Sequence, residues 1–129
     1  MKTEKKLKIS FSNKHEIRMG SPYMMADLNL EGIDIEIPNA CWQDKFAMSK
    51  DRKYIALISF DLAKNQPGFE IYIIDTDRKK ITKTKRILGL VNKIRIEDRK
   101  IKFNKFIYDK TKSKSGELCC NINEELEIE

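Results

Sequence analysis

A chain of 129 residues, 40% hydrophobic and 36% charged, carries enough apolar side chains for one core and is too short for two, so a single domain spanning residues 1–129 is expected. No apolar run approaches the roughly 18 residues of a membrane-crossing helix, and MKTEKKLKISFSNK has a basic head without the apolar stretch of a signal peptide, which points to a cytoplasmic protein with no membrane association. Three cysteines, two of them adjacent, make no spaced disulfide framework, and with one histidine they offer no zinc spacing. Cys41, Cys119 and Cys120 are therefore expected as reduced thiols buried like small hydrophobes, with no metal and no cofactor.

The elements follow in chain order from period-two alternation, the mark of a half-buried strand. Leu7, Ile9 and Phe11 form the first run. NKHEIRMGSPYMM then reads as a linker, with Gly20-Ser21-Pro22 turning the chain into a strand over Met25–Glu31. Gly32 shifts the phase and predicts a tight turn or bulge before a strand at Ile33, Ile35 and Ile37, which Pro38 stops. Short helical turns are predicted at Asp44–Ser49 and Leu62–Asn65. Tyr54–Phe60, YIALISF, is nearly continuous in apolar residues, as a strand covered on both faces must be. Phe69–Ile74 is its hairpin partner, with Pro67-Gly68 fitting a type II turn between them.

Asp75-Thr76-Asp77 reads as a polar turn and Ile81–Leu88 as a further strand. Val91, Ile94 and Ile96, a turn at Glu97–Lys100, then Ile101 and Phe103 make a hairpin with one apolar and one cationic face. Lys105 breaks the alternation and predicts a bulge there. Lys110–Gly116 has linker composition, and Leu118–Ile122 with Leu126–Ile128 give a last strand. No segment carries a sustained helical stripe. The expected architecture is all-β, a single antiparallel domain of about eight or nine strands, as a sandwich or twisted sheet.

The formal net charge of +6 is unevenly spread. Residues 25–77 hold ten acidic and five basic groups, residues 78–115 fifteen basic and three acidic, and residues 116–129 five glutamates and no base. The basic block raises a nucleic-acid reading, since Lys and Arg neutralising phosphates supply most nonspecific affinity. Its candidate contacts are Lys79, Lys80, Lys83, Lys85 and Arg86. Cations on a sheet edge are also ordinary guards against aggregation, and an acidic protein partner is a third reading.

Catalytic signatures are sparse. GxGxxG, GxxxxGK[ST] and GxSxG are absent, and HEIRM lacks the second histidine of the HExxH zinc signature. His15 beside Glu16, Arg18 and Ser21 is the one constellation that suits a small hydrolase, yet acid–base work there needs a second partner and the chain has no other histidine. No catalytic residue is assigned, and the protein is read as a non-enzyme.

Two resemblances add to this. Ser49-Lys-Asp51 leading into YIALISF, followed by Gly68-Phe-Glu-Ile-Tyr-Ile-Ile-Asp75, resembles one hairpin of a β-propeller blade, which implies topology and no function. HEIRMGSPYMMADLNLEG, WQDKFAMSKDRKYIALI and NQPGFEIYIIDT resemble small all-β immunity proteins of contact-dependent and other polymorphic bacterial toxin systems. That resemblance implies a cytosolic inhibitor that binds one cognate toxin domain and occludes its active site. The contacts expected for it are Asp27, Glu31, Asp34 and Glu36, standing before a basic nuclease as phosphates would, with Tyr23 and Trp42 as candidate anchors, although Trp42 with Phe46 reads as core as readily as a rim anchor.

Overall fold

Alternating apolar runs need hydrogen-bonded neighbours along both edges and a cover over each apolar face. The computed structural model, which describes residues 7–17, 23–62, 67–109 and 118–128, meets both needs with β-strands and one unpaired segment, without a helix among the described residues. The strands are β1 (Lys8–Glu16), β2 (Met24–Glu31), β3 (Trp42–Met48), β4 (Tyr54–Asp61), β5 (Gly68–Asp75), β6 (Lys80–Lys83), β7 (Ile87–Leu88), β8 (Leu90–Glu97), β9 (Lys100–Asp109) and β10 (Leu118–Glu127). One sheet has the order β1-β2-β3-β4-β5-β6, with β7 also on β5, and the other the order β10-β9-β8. All pairings are antiparallel. The all-β class expected from alternation is the one adopted.

β4 and β5 pair over eight residues, Tyr54↔Asp75 to Asp61↔Gly68, and are buried on both faces. One face presents Ala56, Ile58, Phe69 and Ile71 to the second sheet, which answers with Val91, Ile96, Ile101 and Phe103. Phe69 and Phe103 meet edge to face across this layer, with centroids 5.7 Å apart. The opposite face presents Ile55, Leu57, Tyr72 and Ile74 together with Trp42, whose indole meets Tyr72 edge-on at 5.0 Å. Its cover is the β1–β2 hairpin, through Phe11, Leu28 and Leu30, and the segment after it, through Ile33, Ile35 and Ile37.

Several local expectations are corrected. Ile33–Ile37 pairs with no strand among the described residues; its alternation serves packing, because its isoleucines lie against the face of β4 and β5. The expected helical turn at Asp44–Ser49 is instead the end of β3 up to Met48, since Ala47 and Met48 pair with Ala56 and Ile55 and need period two to be buried. NKHE continues β1: a bulge between Ser12 and His15, with Asn13 at φ 53°, lets the strand run on to Glu16. Pro67-Gly68 is no type II turn, because Gly68 begins β5 without a positive φ, pairing with Asp61 and Leu88. A Cβ on Gly68 would meet the Arg86 guanidinium at 2.5 Å. Ile81–Leu88 splits into β6 and β7, whereas the last strand is continuous. The bulge predicted at Lys105 sits on the partner strand instead, between Val91 and Lys93, so Lys105 keeps the inward phase of Ile101 and Phe103 and is buried.

Turn chemistry matches local sequence elsewhere. Asp98 and Arg99, at φ 49° and 61°, form the two-residue β8–β9 hairpin turn, whose paired positive φ values follow the strand twist. Gly89, at φ 114°, carries the chain from β7 into β8, where a Cβ would stand 2.8 Å from the Phe106 carbonyl oxygen. The expected turn at Gly20–Pro22, all but Leu62 of the one at Leu62–Asn65, and the loop at 110–116 lie outside the described residues.

Trp42 is 5% exposed and Phe46, four residues on along β3, is 39% exposed. Trp42→Ala is expected to lower stability by about 3–5 kcal/mol through the cavity it leaves. Phe46→Ala is expected to cost about 1 kcal/mol or less. Urea unfolding of the two variants, followed by far-UV circular dichroism, checks the contrast.

Candidate functional site

The packing that buries Leu28, Leu30, Ile33, Ile35 and Ile37 turns their neighbours outward. Asp27, Glu31, Asp34 and Glu36 are all exposed, and they share one layer, the cover over Trp42 and Tyr72. Asp27 accepts a hydrogen bond from Asn13 Nδ2 at 2.7 Å. Glu31, Asp34 and Glu36 make no ion pair among the described residues. The two aromatic anchors expected beside them are placed otherwise. Trp42 is core, because its ring fills the space between β3 and β5 and offers no surface to a partner. Tyr23 is half-buried, and its hydroxyl donates to Asn92 Oδ1 at 2.6 Å.

The cationic candidates divide. Lys79, Lys80 and Lys85 are exposed on the β5–β6 turn, β6 and the segment before β7. Lys83 lies 3.3 Å from Glu70, whose carboxylate hydrogen-bonds the ammonium and holds its pKa above the usual lysine value. Arg86 is a structural residue: its Nε donates to Asp61 Oδ2 at 2.8 Å and its Nη2 reaches the Asp61 carbonyl, so it locks the start of β7 onto the end of β4. Farther along the basic block, Arg95 and Lys102 both bridge Glu97, and the buried Lys105 bridges Glu124 at 2.9 Å. Much of what reads as free positive charge is thus spent within the protein.

His15 is exposed on β1, its Nδ1 donating to the Asn13 carbonyl at 3.1 Å. Its cross-strand neighbour is Met25, and among the described residues it hydrogen-bonds no acid or base side chain. Arg18 and Ser21 lie outside the described residues. Among the described residues there is also no group of three His, Cys, Asp or Glu that would hold a metal ion, and no helix long and apolar enough to cross a membrane. Cys41 is unpaired and exposed, contrary to the buried thiol expected; it sits at the last position before β3, where the chain leaves the covering segment. The thiols of Cys119 and Cys120 fall outside the described side chains.

Two features escaped sequence reasoning. One is an asparagine network. Asn92 Nδ2 donates to the side-chain oxygens of Asn104 and Asn121 at 2.9 and 3.0 Å, and Asn104 Nδ2 donates to Asn123 at 2.7 Å. With Tyr23 it ties the start of β2 to three strands of the other sheet. The signal was present as four asparagines in β8, β9 and β10, but the β8 bulge hid their common phase. The second is an open cleft of about 1000 Å³ between the Asp44–Phe46 stretch of β3 and the second sheet, with Phe11 and Phe46 on one wall and Lys93, Arg95 and Lys102 on the other.

The Ser49-Lys-Asp51 motif has a structural explanation. Ser49 Oγ donates to Asp51 Oδ1 at 2.6 Å and accepts from the Tyr54 amide at 3.0 Å, while Asp51 Oδ1 also accepts from the Lys53 amide at 3.0 Å. The motif closes the β3–β4 turn, in which Arg52 takes a φ of 62°. Comparison with protein families, with curated proteins and with solved structures finds no match to this chain.

The Ser49 hydroxyl and the Lys53 amide lower the Asp51 pKa from its ordinary 3.8, because both bonds favour the carboxylate. The stabilisation this brings is complete above the ordinary carboxylate range and is lost as pH falls through the lowered value. Carboxyl NMR titration should place Asp51 below 3.8. Asp51→Ala should destabilise the protein at neutral pH, with the difference shrinking as pH falls through the lowered value.

Proposed function

We propose that this chain is a cytosolic, non-catalytic binding protein of the immunity class, which neutralises a cognate bacterial toxin domain by covering its active site. The observation that carries this reading is the acidic layer formed by Asp27, Glu31, Asp34 and Glu36. Each carboxylate lies next to an apolar side chain packed on the core, so the charges are positioned before any partner arrives. Preorganisation of this kind reduces the ordering cost of association. A row of exposed carboxylates suits a basic partner, above all one that binds phosphates, and it steers the encounter. The layer spans a hairpin and the segment after it, packed over two sheets, a surface suited to occlusion.

The nucleic-acid reading of the basic block is weaker on the same geometry. Arg86 is committed to Asp61 and Lys83 to Glu70, leaving Lys79, Lys80 and Lys85 of the five. Of the two aromatic rings on the basic hairpin that could stack bases, Phe103 is 3% exposed, as its alternation predicts, and Phe106 is half-buried.

The test is binding to the protein encoded next to this one, measured by surface plasmon resonance at two salt concentrations. Asp34→Lys with Glu36→Lys should slow association about tenfold at low salt and less at high salt. Unchanged kinetics in the variant, or no binding and no neutralisation of the neighbour, overturns the reading. Salt-sensitive binding of an oligonucleotide that is lost on replacing Lys79, Lys80 and Lys85 would put the nucleic-acid reading in its place.

A further inference from the structure

The cleft beside β3 is bounded by a strand that is paired on one side alone among the described residues. Among the described residues β8 is an edge strand, paired only with β9, and its residues Asn92–Arg95 line the cleft consecutively. Among the described residues they make no backbone hydrogen bond outside that pairing, while the preceding carbonyl, of Val91, is taken by the Gln43 amide at 2.9 Å. Facing them, Asp44 and Lys45 fall in the register shift of β3 and have no ladder partner in β2 or β4. An unpaired edge of four residues spans about 13 Å at the usual strand rise, enough to hold a short strand.

The side chains state what kind of strand. Three carboxylates line the cleft, and each is bridged by a cation from outside it: Asp44 by Lys14, Glu124 by Lys105, Glu125 by Lys100. The lining cations are less satisfied. Arg95 and Lys102 share the single carboxylate of Glu97, and Lys45 and Lys93 make no ion pair among the described residues. Phe11 and Phe46 stand against each other at 6.3 Å, with Phe46 39% exposed at the rim. Lys93 and Arg95 on an open edge repel a second copy of the same edge and attract a strand of opposite charge.

We propose that this cleft takes an extended acidic segment of a partner protein, added as a strand along β8. Its main chain bonds the free edge, alternate carboxylates meet Lys45, Lys93 and Lys102, and an apolar residue covers Phe46. This surface is separate from the acidic layer and does not depend on that layer's partner.

The experiment is an NMR titration of the full chain, ¹⁵N-labelled, with a capped hexapeptide alternating glutamate and valine. A lysine–valine counterpart and oligothymidylate are run beside it. Saturable shifts of the Asn92–Arg95 and Asp44–Phe46 amides are expected with the acidic peptide and not with the basic one. Lys45→Glu with Lys93→Glu should weaken binding about tenfold, Phe46→Ser should weaken it as well, and Asp34→Lys with Glu36→Lys should leave it unchanged. The proposal is overturned by an absence of shifts, by equal response to the basic peptide, by response to oligothymidylate alone, or by shifts that simple dilution reproduces, which would mark self-association.

Discussion

The β4–β5 pair must be hidden from water on both sides, and most of the architecture answers that demand. Ile55, Leu57, Ile58, Phe69, Ile71 and Ile74 are all essentially inaccessible, and each faces one of two opposite covers. A full cover for a strand pair requires another sheet or a layer of side chains about 10 Å away. On one side the second sheet supplies it. On the other, no third sheet exists among the described strands, and the chain uses the β1–β2 hairpin together with the segment after it. β2 contacts β3 through only two register positions, Met25↔Gln43 and Ala26↔Trp42, which leaves the hairpin free to lean over the face. Trp42 sits at that hinge.

The distribution of charge follows from the same packing. Residues that alternate with buried ones are turned outward, so acidic residues of the covering layer form one surface while the cations of the second sheet find carboxylates on neighbouring strands. The strand order β10-β9-β8 sets the glutamates of β10 beside the lysines of β9, and Lys100–Glu125 and Lys105–Glu124 are the result. The acidic C-terminal residues and the basic block that precedes them in sequence are thus partners in one sheet. Exposed pairs of this kind add little stability; their effect here is to decide which charges remain for other molecules.

Polar groups inside the fold mark where regular pairing fails. At the β8 bulge Gln43, 1% exposed, donates from the other sheet to the Val91 carbonyl. The same bulge turns Asn92 toward Tyr23 and the asparagines of β9 and β10. Lys105 is buried because the strand keeps its phase past Phe103; its stem passes 3.5 Å from where a Cβ on Gly89 would stand, and its ammonium reaches Glu124. A bulge, a left-handed glycine and a buried cation therefore occur together, each making room for the others.

Period-two alternation and the apolar run YIALISF were enough to establish an all-β chain with a doubly buried central hairpin, because those patterns reflect only which side of a backbone meets water. Asp27, Glu31, Asp34 and Glu36 were legible for the same reason, as outward members of alternating runs. What alternation does not carry is partnership. Ile33–Ile37 and a true strand look alike in sequence, since both are apolar on one side, and only tertiary packing decided that this segment lies against a face. Likewise, Trp42 became core rather than anchor, Arg86 a clasp for Asp61, and Asn92 the centre of a network through contacts between residues distant in sequence. The cleft belongs to that second kind too: its walls come from β1, β3 and the second sheet, and no local pattern encodes the gap between two strand edges.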